Sequence, residues 1–319
     1  MSGLAWLGRQ GTRATAVLVF VCIAIPSIGT VLKPFVAEAV FVLLCMAFAR
    51  VDTAALRVYL RRPTLLVAAA LWTMVVIPAV FALTARAIGL EHRTPDLFLG
   101  VLLQAVASPL MAAPALAALM GFDTTLVLVT LVAGSALIPL TAPAFVASFA
   151  GAGLTLSPVA LGLKLLAILG GSLVVAVIVR RLVGAVAIAR HKAEIDGVNI
   201  LVMFVFTAAV MEHVAARLLS TPWVMLGLIA LAFAIFFLVF GLTTLVFWSN
   251  GRERALALGL VAAQRNLGLM VAATGAVPDL TWLYFAACQL PIYLAPQLLK
   301  RLAGSAACQA EITAHAARH

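Results

Sequence analysis

Apolar residues run in long stretches from one end of this sequence to the other, interrupted by short groups of polar and basic residues. A helix needs about 20 apolar residues to cross a hydrocarbon layer. By that measure the pattern predicts ten spans, at 14–32, 35–49, 63–88, 97–121, 124–149, 157–180, 197–218, 222–248, 255–276 and 279–299. The connections are short and leave no room for an extramembrane domain. Two spans depart from the pattern. The fourth carries Pro109 and Pro114 in its interior, and the ninth, "ALGLVAAQRNLGLMVAATG", sets Gln264, Arg265 and Asn266 in its middle.

Composition agrees with the pattern. The 319 residues are 65% hydrophobic and 10% charged with mean hydropathy +1.19, where soluble domains are typically ~45–50% apolar and ~25% charged. The expected class is an all-α membrane protein. The net charge of +10 sits in clusters between apolar segments, with no aromatic stripe and no separate soluble module. It therefore points to anionic lipid headgroups and away from nucleic acid. Cys22, Cys45, Cys288 and Cys308 lie far apart and read as small apolar packing residues. The histidines (His92, His191, His213, His315, His319) show no metal-ligand spacing. No metal site, cofactor or protein partner is expected. The N-terminus has basic residues before its apolar run but no small-x-small cleavage site, so it reads as the first span.

The basic residues also orient the chain, because cytoplasmic loops carry the excess of Lys and Arg. With the N-terminus inside, fifteen of the 21 fall on the inner side, among them Arg9, Arg50, Arg61, Arg62, Arg180, Arg181, Arg190, Lys192, Arg252 and Arg254. Four fall outside: Lys33, Arg86, Arg93 and Arg217. Lys164 and Arg265 lie within spans. The expectation is an inner (plasma) membrane of bacterial type, with both termini and a 303–319 tail in the cytoplasm.

Ten spans divide into five and five, with residues 1–150 as one repeat and 151–302 as a second, inverted one. The fourth span of each half is the interrupted one, and matched interruptions are the sequence pointer to a transporter's binding site. Proline lacks an N–H, so Pro109 and Pro114 are expected to free the carbonyls of Ala105 and Leu110. Such groups are tolerated at membrane depth where protein or water receives them. At ~1.5 Å per residue both breaks fall near the midplane.

At these residues the sequence resembles the bile acid:sodium symporter family. "AAQRNLGLMVAA" is similar to the family's ninth-segment motif, a Gln-Asn pair preceding Gly-Leu; Asn266 and Gly268 fit it, and Arg265 stands where the family has its Gln. "ASPLMAAPALAALMGFD" resembles the Pro-Gly-Gly-Thr-Ala-Ser-Asn crossover and the apolar run that ends near Gly-Asp, with Asp123 fitting that end. "FVLLCMAFARV" resembles the family's Met-Gly-Leu segment. The resemblance implies two inverted five-helix repeats whose fourth and ninth helices unwind and cross at the midplane. It further implies a panel of spans 1, 2, 6 and 7 against a core of 3–5 and 8–10, organic anion substrates, and two sodium ions beside the crossover. The positions aligned with the family's sodium ligands carry Ala113, Pro114 and Val261, which have no side-chain oxygen. The expectation is therefore transport that persists without sodium.

The candidate substrate-binding residues are Gln264, Arg265, Asn266, Gln104, Ser108, Pro109, Pro114 and Lys164. Arg265 has no carboxylate at its depth. Two compatible roles are open to it, holding a substrate carboxylate bidentately or clamping the freed carbonyls of span 4. Gln104 faces either the same cavity or a neighbouring helix. Lys164 and Glu212, in the outer thirds of spans 6 and 7, either pair or line a vestibule, unless Lys164 snorkels to the interface. The expected function is a secondary transporter of small organic anions working by alternating access. An integral membrane enzyme would need convergent proton-transfer groups, which amides and guanidinium are not, and a passive channel or structural subunit would not need matched interruptions.

Overall fold

The computed structural model of the chain describes residues 3–10, 12–51, 63–149, 157–294 and 298–299. The 303–319 tail lies outside them. The described residues form no strand, and six helices are long and apolar enough to cross a membrane: Ser27–Ala49, Thr64–Ala87, Thr124–Phe149, Pro158–Val183, Lys192–Ser220 and Pro222–Val246. The chain is a multi-pass helical membrane protein.

The first of these stretches contains a reversal. Lys33 Nζ lies 2.8 Å from Glu212, just past the end of helix Lys192–Met211, and Arg50 Nη1 lies 2.6 Å from Asp196 near its start. Gly8 sits against Ala193, and Gly29 against Ala208. Residues 8–29 therefore run along that helix in its own direction, and residues 33–50 run back. The chain turns over at the 3-10 turn Lys33–Phe35.

The third span is not regular. Helix Pro63–Leu71 passes into a π turn, Trp72–Val76, before helix Ile77–Ala87. Within the turn the Ile77 N–H donates to the Trp72 carbonyl, five residues back. In that register the Thr73 carbonyl would pair with residue 78, and Pro78 has no N–H to give. The Thr73 carbonyl is left without a helical donor.

The stretches expected from the sequence as the fourth and ninth spans are each split. The fourth consists of Pro95–Val106 and Ala113–Met120, with residues 107–112 unwound; the ninth consists of Arg252–Ala263 and Leu267–Thr274, with 264–266 unwound. One expectation is corrected here. Pro114 does not free the Leu110 carbonyl, which accepts the Ala113 N–H at 2.9 Å. Pro114 stands in the first turn of the second half-helix, where N–H groups have no intrahelical partner anyway. After that half-helix Gly121 takes φ +71°, the Phe122 N–H closes onto the Ala117 carbonyl at 2.9 Å, and Asp123 caps Leu126 N at 2.9 Å. That corner launches helix Thr124–Phe149.

Candidate functional site

The two unwound stretches meet. Pro109 and Arg265 form an antiparallel backbone bridge: the Leu110 N–H donates to the Gln264 carbonyl at 2.8 Å, and the Asn266 N–H donates to the Ser108 carbonyl at 2.8 Å. Donors and acceptors that unwinding takes out of two helices thus satisfy one another, as buried backbone groups must be. Gly134 of helix Thr124–Phe149 backs the crossing. A Cβ there would lie 2.7 Å from the Pro109 ring.

Arg265 is only 3% exposed. Its Nη1 donates to the Ala107 carbonyl at 2.9 Å and its Nη2 to the Thr73 carbonyl at 3.1 Å. The first oxygen belongs to the unwound stretch of span 4 and the second is the one the π turn and Pro78 free in span 3. Arg265 in the ninth span thereby ties the third and fourth together. Of the two roles open from the sequence, this geometry is the clamp, extended to a partner on span 3. Among the described residues no carboxylate pairs with it.

The neighbours serve the same junction. The Asn266 side chain caps the second half-helix by accepting the Leu269 N–H at 3.1 Å. Gln264 Nε2 donates to the Ile292 carbonyl at 3.1 Å, tying in the helical residues 279–294, while Gln264 Oε1 and Ser108 Oγ are buried without a hydrogen-bond partner. Gln104 Oε1 accepts from the Tyr284 hydroxyl. It also lines, with Arg265, a void of about 10 Å³ between spans 3, 4, 8 and 9, roughly the room one water needs. Seven of the eight candidate residues lie at the crossing or within about a turn of it. Lys164 does not; it is exposed on helix Pro158–Val183. Nor is it the partner of Glu212, which pairs with Lys33 at 2.8 Å and His213 at 3.4 Å. The reversal at Lys33–Phe35 brings Lys33 to the end of the Lys192–Met211 helix, a proximity that spacing along the chain does not encode.

A larger cavity, of about 550 Å³, opens beside the Lys33 turn. Its walls include the Lys33 turn, His213 and Arg217 near the end of Lys192–Ser220, Val271 and Ala272 of the half-helix Leu267–Thr274, and Asp279, Trp282 and Leu283. Lys33 Nζ stands 5.5 Å over the Trp282 ring, and Arg217 reaches Asp279 at 3.8 Å. Lys33, His213 and Arg217 outnumber the single carboxylate, Asp279, in its polar lining, and the rest of the wall is mostly apolar. Sequence reasoning missed this cavity and missed Thr73. Pro78, inside an otherwise apolar span, is the signal that could have found the latter. Compared with models of known protein families and with curated proteins, the chain matches none.

Proposed function

We propose that the chain is a secondary transporter of small organic anions that works by alternating access. In this reading ten spans form two inverted repeats, residues 1–150 and 151–302, with spans 1, 2, 6 and 7 as a panel and the rest as a core. The termini face the cytoplasm across a bacterial-type inner membrane. The observation that carries it is the antiparallel pairing of Pro109 with Arg265, between unwound stretches of the fourth and ninth spans. Unwound backbone at membrane depth is expensive unless it is received by protein or a water-filled cavity, and broken spans paired across two halves are the way transporters build a site at the bilayer centre. The half-helices Ala113–Met120 and Leu267–Thr274 begin at the crossing, so their positive ends favour a negative ligand there. The basic mouth formed by Lys33, His213 and Arg217 favours the same sign.

The crossing residues Gln104, Ser108, Pro109, Pro114, Gln264, Arg265 and Asn266 position the substrate path, and Arg265 supplies fixed positive charge. Purified protein in proteoliposomes tests this: uptake of labelled organic acids should saturate and should be accelerated by unlabelled acid trapped inside. Flux that rises linearly with concentration and ignores internal substrate would indicate a channel. No flux of any organic anion would end the reading.

A further inference from the structure

The family resemblance implies sodium beside the crossing, and the residues present do not fit it. A hard cation of this kind takes about six oxygen ligands. The positions aligned with the family's side-chain ligands hold Ala113, Pro114 and Val261, the first and last fully buried. Several of the carbonyls at the crossing are engaged as well. Ala107 and Thr73 accept from the guanidinium, and Ser108, Leu110 and Gln264 accept backbone N–H groups. Ser108 Oγ and Gln264 Oε1 remain without partners, two oxygens flanking a residue of fixed positive charge. A second unit charge ~6 Å from the first, at an effective dielectric of about 20, is repelled enough to lose about a hundredfold in affinity.

We propose that Arg265 is a tethered cation that holds the crossing together, and that the protein binds no sodium there. Three observations converge on it: the guanidinium bridges two carbonyls on different spans, those carbonyls are free because of the span-4 break and Pro78, and the side-chain oxygens left without partners at the crossing are two, beside a fixed positive charge. The planar fork of arginine suits the task, since its two terminal nitrogens reach two acceptors at once. In transport the consequence is uptake that needs no sodium gradient, and this consequence alone rests on the transporter reading.

Thermal unfolding of the purified protein tests the site without any substrate. At constant ionic strength the wild-type melting temperature should be the same in sodium, potassium and choline chloride. Arg265→Ala should melt lower and should be raised, saturably, by millimolar guanidinium that leaves the wild type unmoved. A saturable stabilisation of the wild type by sodium alone overturns the proposal, and this arm needs no variant to fold. So does an Arg265→Ala protein that melts like wild type or is indifferent to guanidinium. In proteoliposomes, uptake strictly dependent on sodium would sink the tethered-cation proposal while leaving the transporter standing. Absence of uptake under every ion would sink the transporter and leave the melting result to judge the site.

Discussion

The Arg265 guanidinium donates to the Thr73 carbonyl at 3.1 Å, an oxygen that is free because the π turn shifts its partner to Pro78. One irregularity in the third span thus makes the acceptor, and the interruption of the ninth span brings the donor. If the two features are coupled, their removal should not be additive. Arg265→Ala leaves two buried carbonyls without donors, at roughly 1–3 kcal/mol each before the relief of no longer burying a charge. Pro78→Ala restores an N–H that can take one of them. In the Pro78→Ala background the cost of Arg265→Ala should shrink by about 1 kcal/mol, within the range for residues that share a network. Unfolding in bicelles of the four proteins of the cycle measures it, and strict additivity would break the link.

Gly134 makes a second, simpler test of the crossing. A Cβ at this position would sit 2.7 Å from Pro109 Cδ and 3.3 Å from Met74 Sδ. Proline is rigid and here fixed by the bridge to Arg265, so it cannot yield. Gly134→Ala should destabilise by ~1–3 kcal/mol, the usual cost of overpacking. Gly227→Ala, on a face with nothing within 4 Å, should be neutral or slightly stabilising because alanine is the better helix former. Equal melting shifts for the two would mean the backbone does not pass so close.

Much of the fold was legible from hydrophobic pattern alone, because the bilayer requires long apolar helices and proline or a buried polar triplet is conspicuous within them. Both unwound stretches fall where Pro109 and the Gln264–Asn266 triplet put them. What stayed hidden were partners across the fold. The Thr73–Arg265 bond, the Gln104–Tyr284 bond and the Lys33–Glu212 pair join residues far apart in sequence, and helical periodicity carries no information on which helix faces which. Pro78 was visible but reads in isolation as an ordinary membrane proline. Its meaning depends on the π turn, a local shift of hydrogen-bond register that hydropathy does not reveal. Lys164 looked like a candidate because a lysine in a span is unusual, yet its exposed position on helix Pro158–Val183 suits a side chain that snorkels to the interface.

The replacement of Lys164 by Lys33 as the partner of Glu212 gives a third prediction. Glu212 is 8% exposed, and removing its cation leaves a largely buried carboxylate with His213 beside it. Lys33→Ala should cost about 1–2 kcal/mol, moderated by the solvent that reaches the lysine. Lys164→Ala should stay within about 0.5 kcal/mol, as exposed substitutions do. Chemical denaturation of the two variants decides it; a larger loss for Lys164 would mean that the reversal at Lys33–Phe35 is misplaced.

The orientation of the spans is checked by labelling. Single cysteines replacing Arg93 and Arg217 in an otherwise cysteine-free protein should react with an impermeant maleimide added outside intact cells, and one replacing Arg190 only after the membrane is opened. Arg93 and Arg190 lie between apolar segments and Arg217 near the end of one, and the excess of positive charge belongs to the cytoplasmic side. Labelling with the opposite sidedness would overturn the proposed orientation.

The cavity mouth yields the last prediction. Arg217 stands 3.8 Å from Asp279, a loose contact for an ion pair, and the Asp279 side chain is 94% exposed, so the carboxylate is well hydrated and the guanidinium has donors left over. In the transporter reading, an arriving anion competes with Asp279 for Arg217. Arg217→Ala should therefore raise KM for anion uptake several-fold with little change in kcat, since a charge at the rim acts on capture more than on later steps. Asp279→Asn should act in the opposite direction and lower KM, because it removes the competing negative charge and keeps the shape. Both shifts should fade as salt rises, the Debye length falling from about 10 Å at 0.1 M to about 3 Å at 1 M. Opposed signs that converge at high salt are difficult to produce by damage to the fold, which would move both variants the same way. Uptake kinetics at two ionic strengths separate the cases, and KM shifts of the same sign in the two variants would rule out the cavity as the anion's way in.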